Sequence, residues 1–337
     1  MSIAGPRYDL SRNEVPRSTD SLLKPLVSAA SQMYKYPDTG YLEGLLADLH
    51  HVTPAQVLVG AGSTRLLQLL FNTARLKRVG RLFAAQPGFE AYTYLARQAG
   101  LQVCPVPQMA EAPTAAAALA TVPKGGALLL ANPNNPTGVL WELEELACLT
   151  QELPQDTLLI VDDAYIEFAP VGYAGAAADL LDNRPGVLRL RTFSKAHGLA
   201  GLRVGYAYGD AALLQQMRGL DVPYAVDRLA RAVASHVVMQ ERGQAEERAR
   251  EVRQLRDTLL VCLRDRDLCV PSSHGNFLWL PADVLPADPL NQALLRHGVL
   301  ARRFDDGVRV TIGSDPANAA VLQAVDECRA ARDTRGV

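Results

Sequence analysis

Cysteine is scarce in this 337-residue chain: the five residues Cys104, Cys148, Cys262, Cys269 and Cys328 are odd in number and contain no Cys-x-x-Cys pair. That usage argues against a disulfide framework or a zinc cluster and predicts reduced, mostly buried thiols in the cytoplasm. No metal-ligand set is predicted. An excess of charge is missing as well, because 34 Lys and Arg face 36 Asp and Glu for a net charge of −2. No global field then favours nucleic acid as a partner. Long apolar runs are also lacking: the longest, 115–122 and 127–131, are core-sized, well short of the roughly 18 to 20 residues of a membrane span. Residues 1–20 carry Arg7, Asp9, Arg12, Glu14 and Arg17 without an apolar block, so no secretory leader is expected. What remains is ordinary globular composition, 48% hydrophobic and 21% charged, in a length that suits one large α/β domain or two smaller ones.

Short apolar runs ending in Gly, Pro, Asn or Asp alternate with longer segments of helical period, the pattern of parallel strands joined by crossover helices. Strands are predicted over 81–85, 102–105, 127–131, 158–161, 187–191 and 203–208, and helices over 63–74 and 142–153. Together they imply a doubly wound sheet over roughly residues 35–220. Residues 228–266 mix charges and apolar positions at helical spacing and predict one long amphipathic helix. Strands over 275–280 and 307–312 and a helix over 317–332 complete a smaller α+β unit. The domain division is set at 30–222 for the large unit, with 1–29 and 223–337 forming the small unit and an N-terminal arm.

In an open parallel sheet ligands sit beyond the carboxyl ends of the strands, which makes the residues just after each apolar run the informative ones. Gly60-Ala61-Gly62-Ser63-Thr64 follows a strand and opens a helix, offering free N–H groups, two hydroxyls and the positive end of a helix dipole to a phosphate. A Walker lysine and a complete Gly-x-Gly-x-x-Gly are both missing, so nucleotide loops are not supported. Asn132-Pro133-Asn134-Asn135-Pro136-Thr137-Gly138 is a tight turn that carries Asn135 past the next strand. Asp162 and Asp163 end the following one, where a carboxylate beneath a bound ring can keep a ring nitrogen protonated. Finally Ser194-Lys195 follows a strand in an apolar, Gly-rich setting. An amine attacks a carbonyl only when deprotonated, and desolvation favours that form. Each feature alone has a mundane explanation as a helix start, a turn, a brace or a surface lysine. In this order on successive strand tips they meet the demands of pyridoxal phosphate chemistry.

At that point the sequence resembles the fold-type I pyridoxal-phosphate aminotransferases of class I/II, and within them the histidinol-phosphate aminotransferase group. The likeness is carried by Asn13-Glu14, Tyr36-Pro37-Asp38, Gly60 to Thr64, Pro87-Gly88-Phe89, Asn132 to Gly138, Asp162 to Phe168, Ser194-Lys195, Gly201 to Gly205, Asn276-Phe277 and Arg309 to Gly313. The resemblance implies a large domain with a mostly parallel seven-stranded sheet flanked by helices, plus a smaller α+β domain. It implies catalytic roles for Lys195, Asp162 and Tyr165: an imine between cofactor and Lys195, a salt bridge from Asp162 to the ring nitrogen, and hydrogen bonds from Asn135 and Tyr165 to the ring oxygen. Phe89 would stack on the ring. Gly62, Ser63, Thr64, Ser194 and Arg203 would hold the phosphate, with Tyr36 reaching it from the neighbouring subunit of a homodimer whose active sites are shared. Asn13, Tyr36, Arg302 and Arg309 would meet the substrate, Arg309 through its anionic group. The implied reaction moves an amino group from histidinol phosphate or a related amino acid to a 2-oxo acid such as 2-oxoglutarate, in histidine or other amino-acid biosynthesis. The rival on the same fold is a decarboxylase or oxidase of specialised amino-acid metabolism.

Three features bear on the substrate. The arm before Asn13 is only 12 residues long and lacks a Thr-Pro-Tyr-like segment. Asp163 stands where the histidinol-phosphate group has Glu, a change expected to alter bracing and not chemistry. Asp227, in Tyr224-Ala225-Val226-Asp227, is expected near the pocket wall, where it would suit a cationic side chain better than a phosphate, while Arg302 and Arg303 could supply positive charge.

Overall fold

The computed structural model describes residues 7–106, 111–182 and 184–333; residues 1–6, at the start of the expected arm, lie outside it. A short arm strand, β1 (Tyr8–Asp9), and helices α1 (Asp20–Ala30) and α2 (Tyr41–His50) precede the large sheet. Its strands are β2 (Val57–Gly60), β3 (Arg81–Ala84), β4 (Gln102–Pro105), β5 (Ala127–Ala131), β6 (Leu158–Asp162), β7 (Val187–Thr192) and β8 (Gly205–Gly209). Helices α3 (Gly62–Leu76), α4 (Glu90–Gln98), α5 (Ala115–Thr121), α6 (Leu143–Glu152) and α7 (Tyr173–Leu181) cross between them, and α8 (Ala211–Leu220) follows. The strand order is β2-β8-β7-β6-β5-β3-β4. All pairings are parallel except those of β8, which runs against both β2 and β7. The connection over 193–204 explains the reversal: it holds only the 3₁₀ turn Ala200–Leu202, not the α-helix that a parallel crossover carries.

Alternation along the strands feeds both faces of this sheet. Leu82 and Ala84 pack with Leu66 and Leu70 of α3, Leu95 of α4 and Met217 of α8. Phe83, Leu128 and Leu130 face the other way, onto Leu146 and Leu149 of α6 and Ala177 of α7. Both faces are covered, so the strands read as near-continuous apolar runs and are visible in the sequence.

The chain continues through α9 (Arg228–Gln240), α10 (Arg242–Arg264), β9 (Phe277–Pro281), α11 (Ala287–Arg296), β10 (Val299–Leu300), β11 (Arg302–Phe304), β12 (Gly307–Thr311) and α12 (Asp315–Asp333). β9, β12 and β11 form an antiparallel sheet, and β1 pairs in parallel with β10. Leu278, Leu280, Val308 and Val310 pack there against Leu263 of α10, Leu290 of α11 and Val325 of α12.

Three expectations differ from this structure. The segment 228–266 is two helices and not one, broken at Glu241, whose backbone leaves the helix at φ −128° and ψ 23°. The Glu241 carboxylate is buried and lies 2.7 Å from the Arg17 guanidinium, a long-range pairing that a buried charge requires. The apolar packing also divides elsewhere: Leu22 of α1 and Ala230, Val233 and Val237 of α9 pack with Val57 and Val59 of β2, which puts both helices on the large sheet and the change of core near Glu241. Among the cysteines only Cys328 is buried, Cys148 and Cys269 being exposed and Cys104 and Cys262 half-buried; no disulfide occurs among the described residues.

Candidate active site

Because β2, β5, β6 and β7 are parallel, their carboxyl ends open on one edge of the sheet. A cleft of about 680 Å³ lies there, closed on its far side by the arm and the small sheet. Of the residues singled out from sequence, Asn13, Ser63, Thr64, Phe89, Asn135, Asp162, Tyr165, Ser194, Lys195, Arg203, Arg302 and Arg309 all line it.

Asp162, the last residue of β6, is 5% exposed. Its Oδ2 accepts a 2.7 Å hydrogen bond from the Tyr92 hydroxyl, and its Oδ1 accepts from the Ala164 N–H at 3.1 Å. Burial pushes this carboxyl up to about 6, against the Tyr92 and Ala164 hydrogen bonds and the charge of Lys195. A cationic partner would relieve that penalty. Behind it Asp163 is fully buried and pairs at 2.6 Å with Arg189, itself 3.2 Å from Asp182. Asp163 is thus a brace for the strand ends, as its sequence position suggested.

Lys195 follows β7, its Nζ donating to the carbonyls of Arg12 and Asn13, each at 3.0 Å, and lying 5.4 Å from the Tyr165 ring centre. Tyr165 is buried, its hydroxyl accepting from Asn13 Nδ2 at 2.9 Å and from Asn135 Nδ2 at 3.4 Å. Asn13 also meets the small sheet, accepting from the Thr311 hydroxyl at 2.9 Å and, through its carbonyl, from Asn276 at 3.1 Å.

At the opening of α3 the unpaired N–H groups of the first turn lie beside Ser63, Thr64 and the Arg203 guanidinium. Gly62 has φ +78°, and a Cβ there would stand 2.8 Å from Arg203 Nη2; one on Gly205 would stand 2.7 Å from the Ser63 nitrogen. Both glycines are required for the backbone and guanidinium to close into a cup. Arg309, on β12, donates at 2.6 Å to Asn135 Oδ1 and at 2.5 Å to the Ser11 carbonyl. Its Nε is buried with no hydrogen-bond partner among the described residues, and burial pushes its guanidinium down.

Two placements, those of Asp227 and Arg303, depart from the sequence reading. Tyr36 does not line the cleft of its own chain: it is 75% exposed and stacks on Tyr224 at 4.5 Å. Asp227 is no pocket wall but the N-cap of α9, accepting from the Ala230 N–H at 2.9 Å. Arg303 turns away to Asp288 and Asp305. Arg302 does line the cleft, already paired with Glu90 across its mouth. Sequence reasoning missed Tyr92, which stacks edge-on against Phe89 at 5.5 Å while holding Asp162. Its spacing three residues after Phe89 at a helix start was the available signal.

Residues 6–325 match the family described as aminotransferase class I and II. The chain is 34% identical over 331 residues to an aromatic amino acid aminotransferase of Corynebacterium efficiens, covering 95% of this chain and 93% of that protein. A second relative with the same description, from Mycobacteroides abscessus, is 36% identical over 322 residues, 93% of this chain and 91% of the relative. Among solved structures, a histidinol-phosphate aminotransferase of Sinorhizobium meliloti in complex with pyridoxal-5'-phosphate superposes with a TM-score of 0.80 at 25% identity, over 97% of this chain and 92% of that one. An aspartate aminotransferase of Thermus thermophilus with maleate gives a TM-score of 0.83 at 22% identity over 96% and 92%, a likeness of fold.

The residues present suit pyridoxal phosphate on their own chemistry. A cup that any Cβ at Gly62 or Gly205 would fill, a buried carboxylate lacking a cation, and a buried guanidinium nitrogen lacking an anion are complementary to a phosphate, a protonated ring and a carboxylate. Pyridoxal phosphate is the cofactor. With the sheet, the cleft and the sequence likeness extending over nearly the whole length, the chain belongs to the class I and II aminotransferases, of fold type I.

Proposed function

We propose that the protein takes its amino group from an aromatic amino acid and delivers it to a 2-oxo acid such as 2-oxoglutarate. The observation that carries the choice of donor is the mouth of the cleft: its wall offers Leu300, Ala301 and Phe304, and the Arg302 guanidinium beside them is neutralised by Glu90. Relatives described as aromatic amino acid aminotransferases support the same donor. Histidinol phosphate, the donor expected from sequence, would need Arg302 released from Glu90 for its phosphate. The curated relatives reported above are described by aromatic donors, which does not support a place in histidine biosynthesis.

When bound, the cofactor supplies an electron sink for the bonds at the substrate's α-carbon. In our reading Lys195 Nζ would be the amine that holds the cofactor and the group that carries a proton at the substrate's α-carbon. Asp162 would face the ring nitrogen as the ionised carboxylate, with Tyr92 fixing its orientation. Asn135 and Tyr165 would donate to the ring oxygen, Phe89 would cover the ring, and Gly62, Ser63, Thr64, Ser194 and Arg203 would bind the phosphate. Arg309 takes the substrate α-carboxylate in bidentate fashion, and Asn13 positions the substrate from the arm.

A homodimer belongs to the same proposal, with Tyr36, which is exposed and does not line its own cleft, reaching the partner's. Among the described residues no helix is long and apolar enough to cross a membrane. The test is a donor panel with 2-oxoglutarate, reading glutamate formed. Phenylalanine and tyrosine are expected to exceed histidinol phosphate and lysine; the reverse order would overturn the donor assignment. Release of carbon dioxide or peroxide in place of glutamate would point to a decarboxylase or oxidase.

A further inference from the structure

We propose that Glu90 is a specificity-determining residue, the internal counter-ion of Arg302: an uncharged donor side chain leaves the pair closed, whereas a substrate with a second anionic group must take Glu90's place on the guanidinium. The inference rests on the transaminase reading of the cleft and adds to it the means by which one site treats neutral and acidic substrates differently.

The two residues come from different cores. Glu90 opens α4 on the large sheet, Arg302 opens β11 on the small one, and they meet across the mouth of the cleft that both line. The three guanidinium groups of the small sheet differ in availability. Arg303 is held outside by Asp288 and Asp305. Arg309 is held in the depth by neutral acceptors, with its Nε–H unspent, and is thereby ready for a carboxylate. Arg302 faces the same space with its charge cancelled, its side chain 48% exposed and that of Glu90 57% exposed.

Exposed ion pairs are weak, because water screens both charges and both side chains lose freedom on pairing. Such a pair is exchangeable: a carboxylate or phosphate of a bound substrate can displace Glu90 at modest cost. Phe304 packs against Trp279 and lies 5.9 Å from the Arg302 guanidinium carbon, so the ground beside the pair is apolar. An aromatic side chain meets that surface without disturbing either charge, while a dicarboxylic substrate competes with Glu90 for the guanidinium. Selectivity here comes from a built-in competitor, an element set against acidic ligands as much as for neutral ones.

The experiment compares wild-type and Glu90→Gln holoenzymes. It reads kcat/KM for phenylalanine and for glutamate as donors, the KM for 2-oxoglutarate, and the inhibition constant of maleate as a simple dicarboxylate probe. The glutamate-to-phenylalanine ratio is expected to rise about fivefold, with the 2-oxoglutarate KM and the maleate constant falling by a similar factor, all attenuated by salt. In an Arg302→Met background, Glu90→Gln is expected to have no such effect. Unchanged ratio and unchanged maleate inhibition would overturn the inference. A wild-type enzyme that ignores phenylalanine would instead overturn the donor assignment, and the maleate comparison would still decide the role of Glu90.

Discussion

At the floor of the cleft Asp162, Tyr92, Tyr165 and Asn135 are buried, each hydrogen-bonded to another side chain of the site. At the mouth Glu90 and Arg302 are half exposed and reach each other from separate cores. The floor sits on strand ends packed from both sides, where a misplaced polar group would lack water to compensate it. The mouth is wetted and can exchange partners. Cofactor chemistry, common to the whole family, belongs on the first kind of surface, and choice of substrate on the second.

The largest effect is expected at Lys195. Lys195→Ala should lower turnover by at least about 10⁴-fold and remove the visible absorbance of lysine-bound cofactor; retained turnover would take the residue out of its assigned place on the floor. Asp162→Asn is next, with a loss of about 10²–10³ in kcat/KM, since a preorganised charge facing the ring nitrogen is removed from a dry site.

Tyr92→Phe offers a subtler break in the comparison. Burial pushes the Asp162 carboxyl up to about 6, while a protonated ring nitrogen favours its ionised form. Cofactor affinity should therefore hold above pH 6 and fall as the pH drops through that value. Tyr92 and Lys195 pull this midpoint down; Asp163 and burial push it up. Removing the Tyr92 hydroxyl should move it upward and weaken cofactor binding near neutrality about tenfold, measured as a pH series of dissociation constants. A midpoint left in place would show that the floor is not a connected set. Smallest of all, Asp227→Ala removes only the cap of α9, worth about 1 kcal/mol of stability. It should lower Tm by a few degrees with kcat/KM intact, sharpening the line between scaffold and site.

Much of the floor was legible in the sequence because parallel strands buried on both faces are plain apolar runs, and because their tips are the natural place for polar residues with a task. Glycine, Asn-Pro, Asp and Lys followed such runs at β2, β5, β6 and β7. What stayed hidden depended on partners distant in the chain. The break at Glu241 answers to Arg17, more than 200 residues earlier. Tyr92 acquires meaning only when α4 is laid against β6. The Glu90–Arg302 pair joins residues of two cores, and no local pattern announces it. Asp227 was a different failure: an Asp ahead of a helical run is an ordinary capping signal, and the pocket reading overlooked it.

The turned-back strand β8 ties two of these functions into one short piece of chain. Lys195 leaves the end of β7 and Arg203 enters the start of β8, with a single loop between them. The reactive amine and the cation assigned to the phosphate are thus spaced by one backbone excursion, anchored at both ends by sheet pairing of Thr192 with Gly205. An inserted or deleted residue anywhere from 196 to 202 would displace one relative to the other, with no flanking helix to absorb the change. Length in this stretch should tolerate far less variation than in the surface connections on the opposite edge of the sheet.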